Sequence, residues 1–282
     1  MPQRINAVND FVVKFANVNG SGSASANELF AKCILRMGVP LASRNIFPSN
    51  IQGLPTWYEV RVSGEGWLGR RGGVDLMVAM NPQTWDKDVA SIDAGGYLLY
   101  DSTKPLPPSK FREDINLIGV PLTDICNRTY SDPRQRQLFK NIIYVGALTA
   151  LLDIDTDVVE KLLTDQFKKR PELIASNMKA LKLGHDYAQE HLASACGLKV
   201  KHADSVGNRI FIAGNDAAGL GAVYGGATVC AWYPITPSTS LAEAFTKHCK
   251  KFRIDPETKK NNFAIVQAED EISAIGAVIG AG

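Results

Sequence analysis

Three short stretches carry side chains whose types and spacing could do chemistry. In Tyr233-Pro234-Ile235-Thr236-Pro237-Ser238-Thr239 two prolines bracket a threonine, and their fixed φ holds the backbone so that the Thr236 hydroxyl is aimed in one direction. Such a segment is either a rigid connection or a hydroxyl held for a substrate. Glu269-Asp270-Glu271 places three carboxylates where an apolar strand gives way to a run of small residues. Acids in a first helical turn complement the helix dipole. A carboxylate beside Ile272, Ala274 and Ile275 could instead lose solvent and hold its proton more tightly, which suits acid–base work. Neighbouring helix residues point about 100° apart, so one or two of the three can face a common site. Gly20-Ser21-Gly22 lies where a phosphate-binding turn would, but Ser25 occupies the place of the third glycine of a dinucleotide fingerprint. No acid follows at ribose distance and no Gly-Lys-Ser/Thr ending is present, so a phosphate cradle and a plain turn both remain open.

These stretches need elements to position them. Residues 11–17 read as a strand, followed by the glycine turn and a helical pattern through Leu29, Ile34 and Leu35. Further strands are expected at 57–62, 74–79 and 96–100 and between Asn116 and Leu122, the last ending at Pro121. The period then changes to helices over 134–152, 157–170 and 171–192, with Asp157 and Glu160 spaced as a capping pair. Residues 193–206 lack a period and read as a linker, which makes 1–192 one α/β domain. Beyond it the pattern restarts over 207–282: strand 209–213, helix 216–226, strand 228–233, helix 241–252, strand 262–268 and a helix from Glu271. The middle helix shows Ser240 and Glu243 as a capping box and Leu241, Ala244, Phe245 and His248 along one stripe. Alternating strands and helices imply a parallel sheet with its sites at the strands' carboxyl ends.

Composition narrows the classes. The chain has 282 residues, 45% hydrophobic and 21% charged, with a formal net charge of +2, so it folds and is not disordered overall. Its 31 basic and 29 acidic side chains leave no excess for nucleic-acid binding. No apolar run approaches membrane-spanning length, and Met1-Pro2-Gln3-Arg4-Ile5-Asn6 lacks a secretory core, so a cytoplasmic protein without membrane contact is expected. The five cysteines, Cys33, Cys126, Cys196, Cys230 and Cys249, contain no Cys-x-x-Cys, and the four histidines show no metal spacing. Reduced, mostly buried thiols and no metal site are expected.

Ala231-Trp232-Tyr233-Pro234-Ile235-Thr236-Pro237-Ser238-Thr239-Ser240-Leu241-Ala242-Glu243, followed by Ala264-Ile265-Val266-Gln267-Ala268-Glu269-Asp270-Glu271, resembles the pyrimidine-binding domain of the thiamine diphosphate-dependent 2-oxoacid:ferredoxin oxidoreductases. Phe15-Ala16-Asn17-Val18-Asn19-Gly20-Ser21-Gly22 and Asn50-Ile51-Gln52-Gly53-Leu54-Pro55-Thr56-Trp57-Tyr58-Glu59-Val60-Arg61 resemble the gamma domain fused ahead of it, in the order of a 2-oxoglutarate:ferredoxin oxidoreductase alpha subunit. The resemblance implies a gamma-type α/β domain followed by the start of a pyrimidine-type, thiamine-diphosphate-binding parallel-sheet domain. It implies oxidative decarboxylation of 2-oxoglutarate to succinyl-CoA, with pyruvate or branched 2-oxoacids as alternative substrates. A non-catalytic scaffold for the beta subunit, and more remotely a nucleotide-dependent dehydrogenase, are the readings from other classes. By the same resemblance Glu271 contacts the aminopyrimidine ring and Thr236 the substrate carboxylate, with Tyr233, Pro234 and Ile235 at the cofactor. Glu271 is preferred to Glu269 for its distance from Gly276, and Gly20, Ser21 and Gly22 are candidates for coenzyme A. The beta subunit would bring the Mg2+ and the iron–sulfur cluster, and ferredoxin would take the electrons in a hetero-oligomer. Family alpha subunits continue well beyond Gly280-Ala281-Gly282, so a longer subunit or a completing chain is expected.

Overall fold

Residues 10–18 carry Phe11, Val13 and Phe15 toward one face and Val12 and Ala16 toward the other, and all five are buried, as a strand at the centre of a covered sheet requires. The computed structural model describes residues 3–48 and 51–282, in two units, Met1–Arg209 and Ile210–Gly282. Asn50 of the sequence motif lies outside the described residues.

In the first unit β1 (Ala7–Val8) leads into β2 (Asp10–Val18), then α1 (Ser23–Arg36), β3 (Leu41–Ile46), β4 (Pro55–Ser63), β5 (Val74–Ala79), α2 (Trp85–Ala90), β6 (Ile92–Asp101) and β7 (Asn116–Val120). A six-stranded sheet has the order β3-β4-β2-β5-β6-β7. Strands β2, β5, β6 and β7 run parallel, whereas β4 is antiparallel to both β2 and β3. One face of β2 packs on α1 and on a long helix behind it: the Phe15 ring lies 5.2 Å from Phe30 and 5.9 Å from Tyr144. On the other face Trp57, Met77, Trp85, Val89, Leu98 and Ile115 form a core edged by Tyr100 and Phe111. The sequence pattern missed β3, α2 and α3 (Leu122–Thr129), each short or only partly apolar.

Helices α4 (Pro133–Leu151), α5 (Thr156–Gln166) and α6 (Pro171–His191) follow. The expected helix 157–170 stops at Gln166, and its cap is Asp155, which accepts from the Asp157 amide at 2.9 Å, instead of an Asp157/Glu160 pair. Helices α4 and α6 touch backbone to backbone at two glycines. A Cβ on Gly146 would lie 2.0 Å from the Leu181 carbonyl oxygen, and one on Gly184 would lie 1.8 Å from that of Ile143.

The stretch 193–206, expected as a linker, is packed on the first unit. Within it β8 (Leu198–Lys199) pairs parallel with β1, and Cys196, Leu198 and Val200 are buried. The Val200 amide donates to Leu152 at 2.7 Å and Ala203 to Met37 at 2.9 Å, and the division between units falls after Arg209. Buried apolar residues scattered without a period carry no helix or strand signature, which is why this part reads as a linker.

The second unit contains α7 (Gly214–Tyr224), β9 (Val229–Trp232), α8 (Thr239–Phe252), β10 (Ala264–Gln267) and α9 (Glu271–Ala281). Strands β9 and β10 are parallel, with Trp232 opposite Gln267. Val223, Phe245 and Cys249 pack with Cys230, Phe263 and Ile265. The expected strand 209–213 is irregular backbone: Arg209 turns its side chain onto the carbonyls of Ser205 and Val206, and Ile210 is 75% exposed. Helix α8 begins at Thr239, so Ser240 lies inside its first turn and does not cap it. The buried stripe accordingly runs through Ala242, Phe245 and Cys249 with Ala244, leaving Leu241 at the surface and His248 half-buried.

Candidate functional site

In the second unit the parallel pairing puts the carboxyl ends of β9 and β10 side by side, so the chain leaves them at one edge through Tyr233 and Ala268. The Ala268 amide donates to the Trp232 carbonyl at 2.7 Å and fixes that edge. Here the Tyr233 hydroxyl donates to Glu271 Oε1 at 2.7 Å, joining two of the residues singled out in the sequence. Glu271 is the first residue of α9, and Asp270 caps the helix by accepting from the Ser273 amide at 2.8 Å. The hydrogen bond from Tyr233 holds the Glu271 carboxyl below the usual carboxylate range, and the same bond raises the Tyr233 phenol. Of the two readings of these carboxylates, Glu271 in the first turn of α9 matches the acid that complements a helix dipole, and not the desolvated one. The side chain is exposed, and Ile272 and Ile275 beside it are 80% and 56% exposed, so among the described residues no side chain removes water from the carboxylate.

The loop after Tyr233 is held from below. Asn215 of α7 donates to the Pro237 carbonyl at 2.8 Å and to Ser240 Oγ at 2.7 Å, and Ser238 and Thr239 both hydrogen-bond the Ile235 carbonyl. The Thr236–Pro237 peptide is cis. Thr236 is exposed, and among the described residues no hydrogen bond ties its hydroxyl to the protein or joins it to Glu271. Asn215 had no distinguishing signal in the sequence, because its partner is a carbonyl 22 residues away.

In the first unit the glycine turn sits at the carboxyl end of β2. Gly20 and Gly22 have φ of 83° and 77°, and Gly22 is the N-cap of α1, which has no side-chain cap and no acid in its first turn. No acidic side chain of the helix's own first turn offsets the amides at this start. A cavity of about 260 Å3 opens there, lined by Gly20, Gly22, Ser23, Asn45, Phe47 and Trp57. A buried amide network fixes the turn. Tyr144 donates to Asn27 Oδ1 at 2.6 Å, Asn27 to Asn17 Oδ1 at 3.0 Å, and Asn141 to the Ser21 carbonyl at 3.0 Å. Ser21 faces a second cavity of about 310 Å3, whose wall includes Thr123, Cys126, Arg136 and Lys140. Burial pushes the Cys126 thiol up to about 11, so it stays protonated near neutrality. Asn17, Asn27, Asn141, Arg136 and Lys140 were missed in the sequence; the last two stand four apart on α4, a spacing that marks a shared helix face.

Cys33, Cys126, Cys196 and Cys249 are buried and Cys230 is half-buried, all as free thiols. Among the described residues no three His, Cys, Asp or Glu side chains cluster so as to hold a metal ion, and no helix is long and apolar enough to cross a membrane.

Comparison with known proteins gives consistent matches. The family model for pyruvate ferredoxin/flavodoxin oxidoreductase matches residues 12–187, and that for the thiamine diphosphate-binding part of pyruvate flavodoxin/ferredoxin oxidoreductase matches 220–282. The chain is 25% identical to the alpha subunit of 2-oxoacid:ferredoxin oxidoreductase 2 of Aeropyrum pernix, over 93% of this chain and 47% of that protein. It is 25% identical to the 2-oxoglutarate oxidoreductase subunit KorA of Mycobacterium tuberculosis, over 96% of this chain and 44% of that protein. A solved 2-oxoglutarate:ferredoxin oxidoreductase from Magnetococcus marinus, with 2-oxoglutarate, coenzyme A and succinyl-CoA bound, superposes with a TM-score of 0.79 at 29% identity, covering 97% of this chain and 46% of that one. The chain thus spans about half the length of the curated relatives it matches. Because the first family model alone covers more than half of its residues, the chain belongs to the pyruvate ferredoxin/flavodoxin oxidoreductase family.

Proposed function

We propose that this chain provides the alpha-type part of a coenzyme A-acylating 2-oxoacid:ferredoxin oxidoreductase. It would act in the cytoplasm on 2-oxoglutarate, giving succinyl-CoA and carbon dioxide and passing two electrons to ferredoxin. The observation that carries this is the Tyr233–Glu271 pair at the carboxyl edge of β9 and β10, within the segment matched by the thiamine diphosphate-binding model. Preference for 2-oxoglutarate is supported by the M. tuberculosis relative's name and by the ligands of the M. marinus structure.

The residues fit one half of the cofactor. Thiamine diphosphate, when bound, supplies the nucleophilic carbon that lets a 2-oxoacid lose carbon dioxide. Glu271, exposed at the start of α9, would hold a proton between Oε and the pyrimidine ring nitrogen. Tyr233, Pro234 and Ile235 would flank the ring, and the unengaged Thr236 hydroxyl would donate to the substrate carboxylate. Gly20, Ser21 and Gly22, beside the uncapped start of α1, would bind coenzyme A. We assign the diphosphate, Mg2+ and iron–sulfur ligands to a beta subunit.

The test is a complex reconstituted with that beta subunit. Glu271→Ala abolishes decarboxylation while assembly stays intact; near-normal turnover of the variant complex would overturn the assignment. Comparing turnover of 2-oxoglutarate with pyruvate decides the substrate, and thiamine-dependent activity in the beta subunit alone would favour a scaffold role.

A further inference from the structure

We propose that Asn215, at the start of α7, is a positioning residue that holds the backbone of residues 235–237 so that the Thr236 hydroxyl meets the carboxylate of a 2-oxoacid. The substrate half of this inference rests on the function proposed above, in which Thr236 takes that carboxylate. The tether itself rests on geometry alone.

An asparagine at a helix start commonly caps its own helix, but α7 has no side-chain cap. Asn215 instead spends both amide protons on the connection into α8. One goes to the Pro237 carbonyl at 2.8 Å and the other to Ser240 Oγ at 2.7 Å. Ser240 Oγ closes the triangle by donating to the same carbonyl at 3.1 Å.

Thr236 therefore stands between two anchored carbonyls. That of Ile235 accepts from Ser238 Oγ at 3.0 Å and from the Thr239 amide at 3.0 Å, both close by in the chain. That of Pro237 is the one held from a distance. Pro234 and Pro237 have no N–H to give, which leaves the carbonyls to do most of the anchoring. Among the described residues, the Asn215 bond is the one hydrogen bond that joins residues 234–238 to a part of the chain outside 234–252. A threonine's branched Cβ leaves few side-chain rotamers, so fixing the backbone of Thr236 also fixes where its hydroxyl goes.

The pairing of α7 with α8 does not depend on this amide. Gly219 lies so close to α8 that a Cβ on it would stand 2.8 Å from the Phe245 amide nitrogen, and Val223 packs with Phe245 and Cys249. Loss of the Asn215 amide thus frees the loop and leaves the two helices together.

Steady-state kinetics of the complex reconstituted with a beta subunit test the role. Asn215→Ala is expected to raise KM for 2-oxoglutarate at least about fivefold, as loss of one or two neutral hydrogen bonds should, and to change kcat by less than about twofold. In a Thr236→Ala background the same change should move KM by less than about twofold, because its route to the substrate is already gone. Hydrogen exchange of the full chain reads the loop without activity. Amides of residues 235–239 should exchange at least about fivefold faster in Asn215→Ala, with those of 242–252 within about twofold of wild type, which also shows that the variant is folded. Unchanged loop exchange, an unchanged KM in an active complex, or full additivity with Thr236→Ala would overturn the positioning role. A wild-type complex that turns over no 2-oxoacid would overturn the proposed function and the substrate half of this inference, while faster loop exchange in the variant would still support Asn215 as the tether.

Discussion

Removing one oxygen atom tests how the glycine turn is held. The Tyr144 hydroxyl donates at 2.6 Å to Asn27 Oδ1, and Asn27, 2% exposed, donates in turn to Asn17, 3% exposed. Tyr144→Phe keeps the ring against Phe15 and leaves the Asn27 oxygen buried without a donor. An orphaned buried acceptor costs about 1–3 kcal/mol. The unit it belongs to runs from Met1 to Arg209. At about 2.1 cal/mol/K of unfolding entropy per residue, that cost lowers its Tm by about 2–7 °C. Scanning calorimetry of the full chain measures the shift, and a urea series should show a lower midpoint at constant m. Adding Asn27→Leu removes the stranded oxygen, so the double variant should cost less than the sum of the singles. A Tyr144→Phe melt within about 1 °C of wild type, together with additivity of the two changes, would refute the network as the support of the turn.

Two further outcomes follow from packing and charge. Gly184→Ala replaces a poor helix former and would by propensity alone stabilise by about 1 kcal/mol. With its Cβ 1.8 Å from the Ile143 oxygen it should instead destabilise by about 1–3 kcal/mol in urea unfolding, and a gain in stability would contradict the α4–α6 contact. Burial pushes the Asp101 carboxyl up, but hydrogen bonds from Thr103 and Thr123 and the Lys140 ammonium outweigh it and leave its pKa lowered. A depressed folded-state pKa contributes stability that is present above the unfolded carboxylate value and lost as pH falls through the folded one. Asp101→Asn should therefore be less stable at pH 7 and lose less on acidification below about pH 4 than wild type, as denaturant midpoints across pH would show.

What the sequence revealed follows from how local each signal is. Strand β2 and helices α4 and α6 carry long apolar periods, so their residues alone specify them. Tyr233 and Glu271, which the structure joins by a hydrogen bond, stood out in the sequence because each lies in a short contiguous stretch directly after a strand. The failures share one cause, a dependence on distant partners. Residues 193–206 pack on Met37 and Leu152 without any period of their own, and residues 209–213 are an apolar, β-branched run like a strand's but pair with no strand among the described residues. Ser240 looked like a cap until Thr239 began the helix ahead of it. Asn17, Asn27 and Asn141 fall inside a strand and two helices, where a polar side chain reads as surface, although burial makes them the supports of the glycine turn.

The state of Glu271 bears on where catalysis by this chain would begin. A carboxyl that manages a proton at a ring nitrogen must be protonated near neutral pH, and Glu271 is displaced the other way by its bond from Tyr233. Two changes reverse that direction: loss of the Tyr233 hydroxyl to another acceptor, or removal of water from the carboxylate. Ile272 and Ile275, 80% and 56% exposed around Glu271, give a covering chain apolar surface to close over. On the proposed function, then, a beta subunit would do more than supply the diphosphate and cluster ligands. By burying Ile272 and Ile275 it would convert an exposed, ionised glutamate into a proton-holding one. Catalytic competence and assembly would arise in the same step.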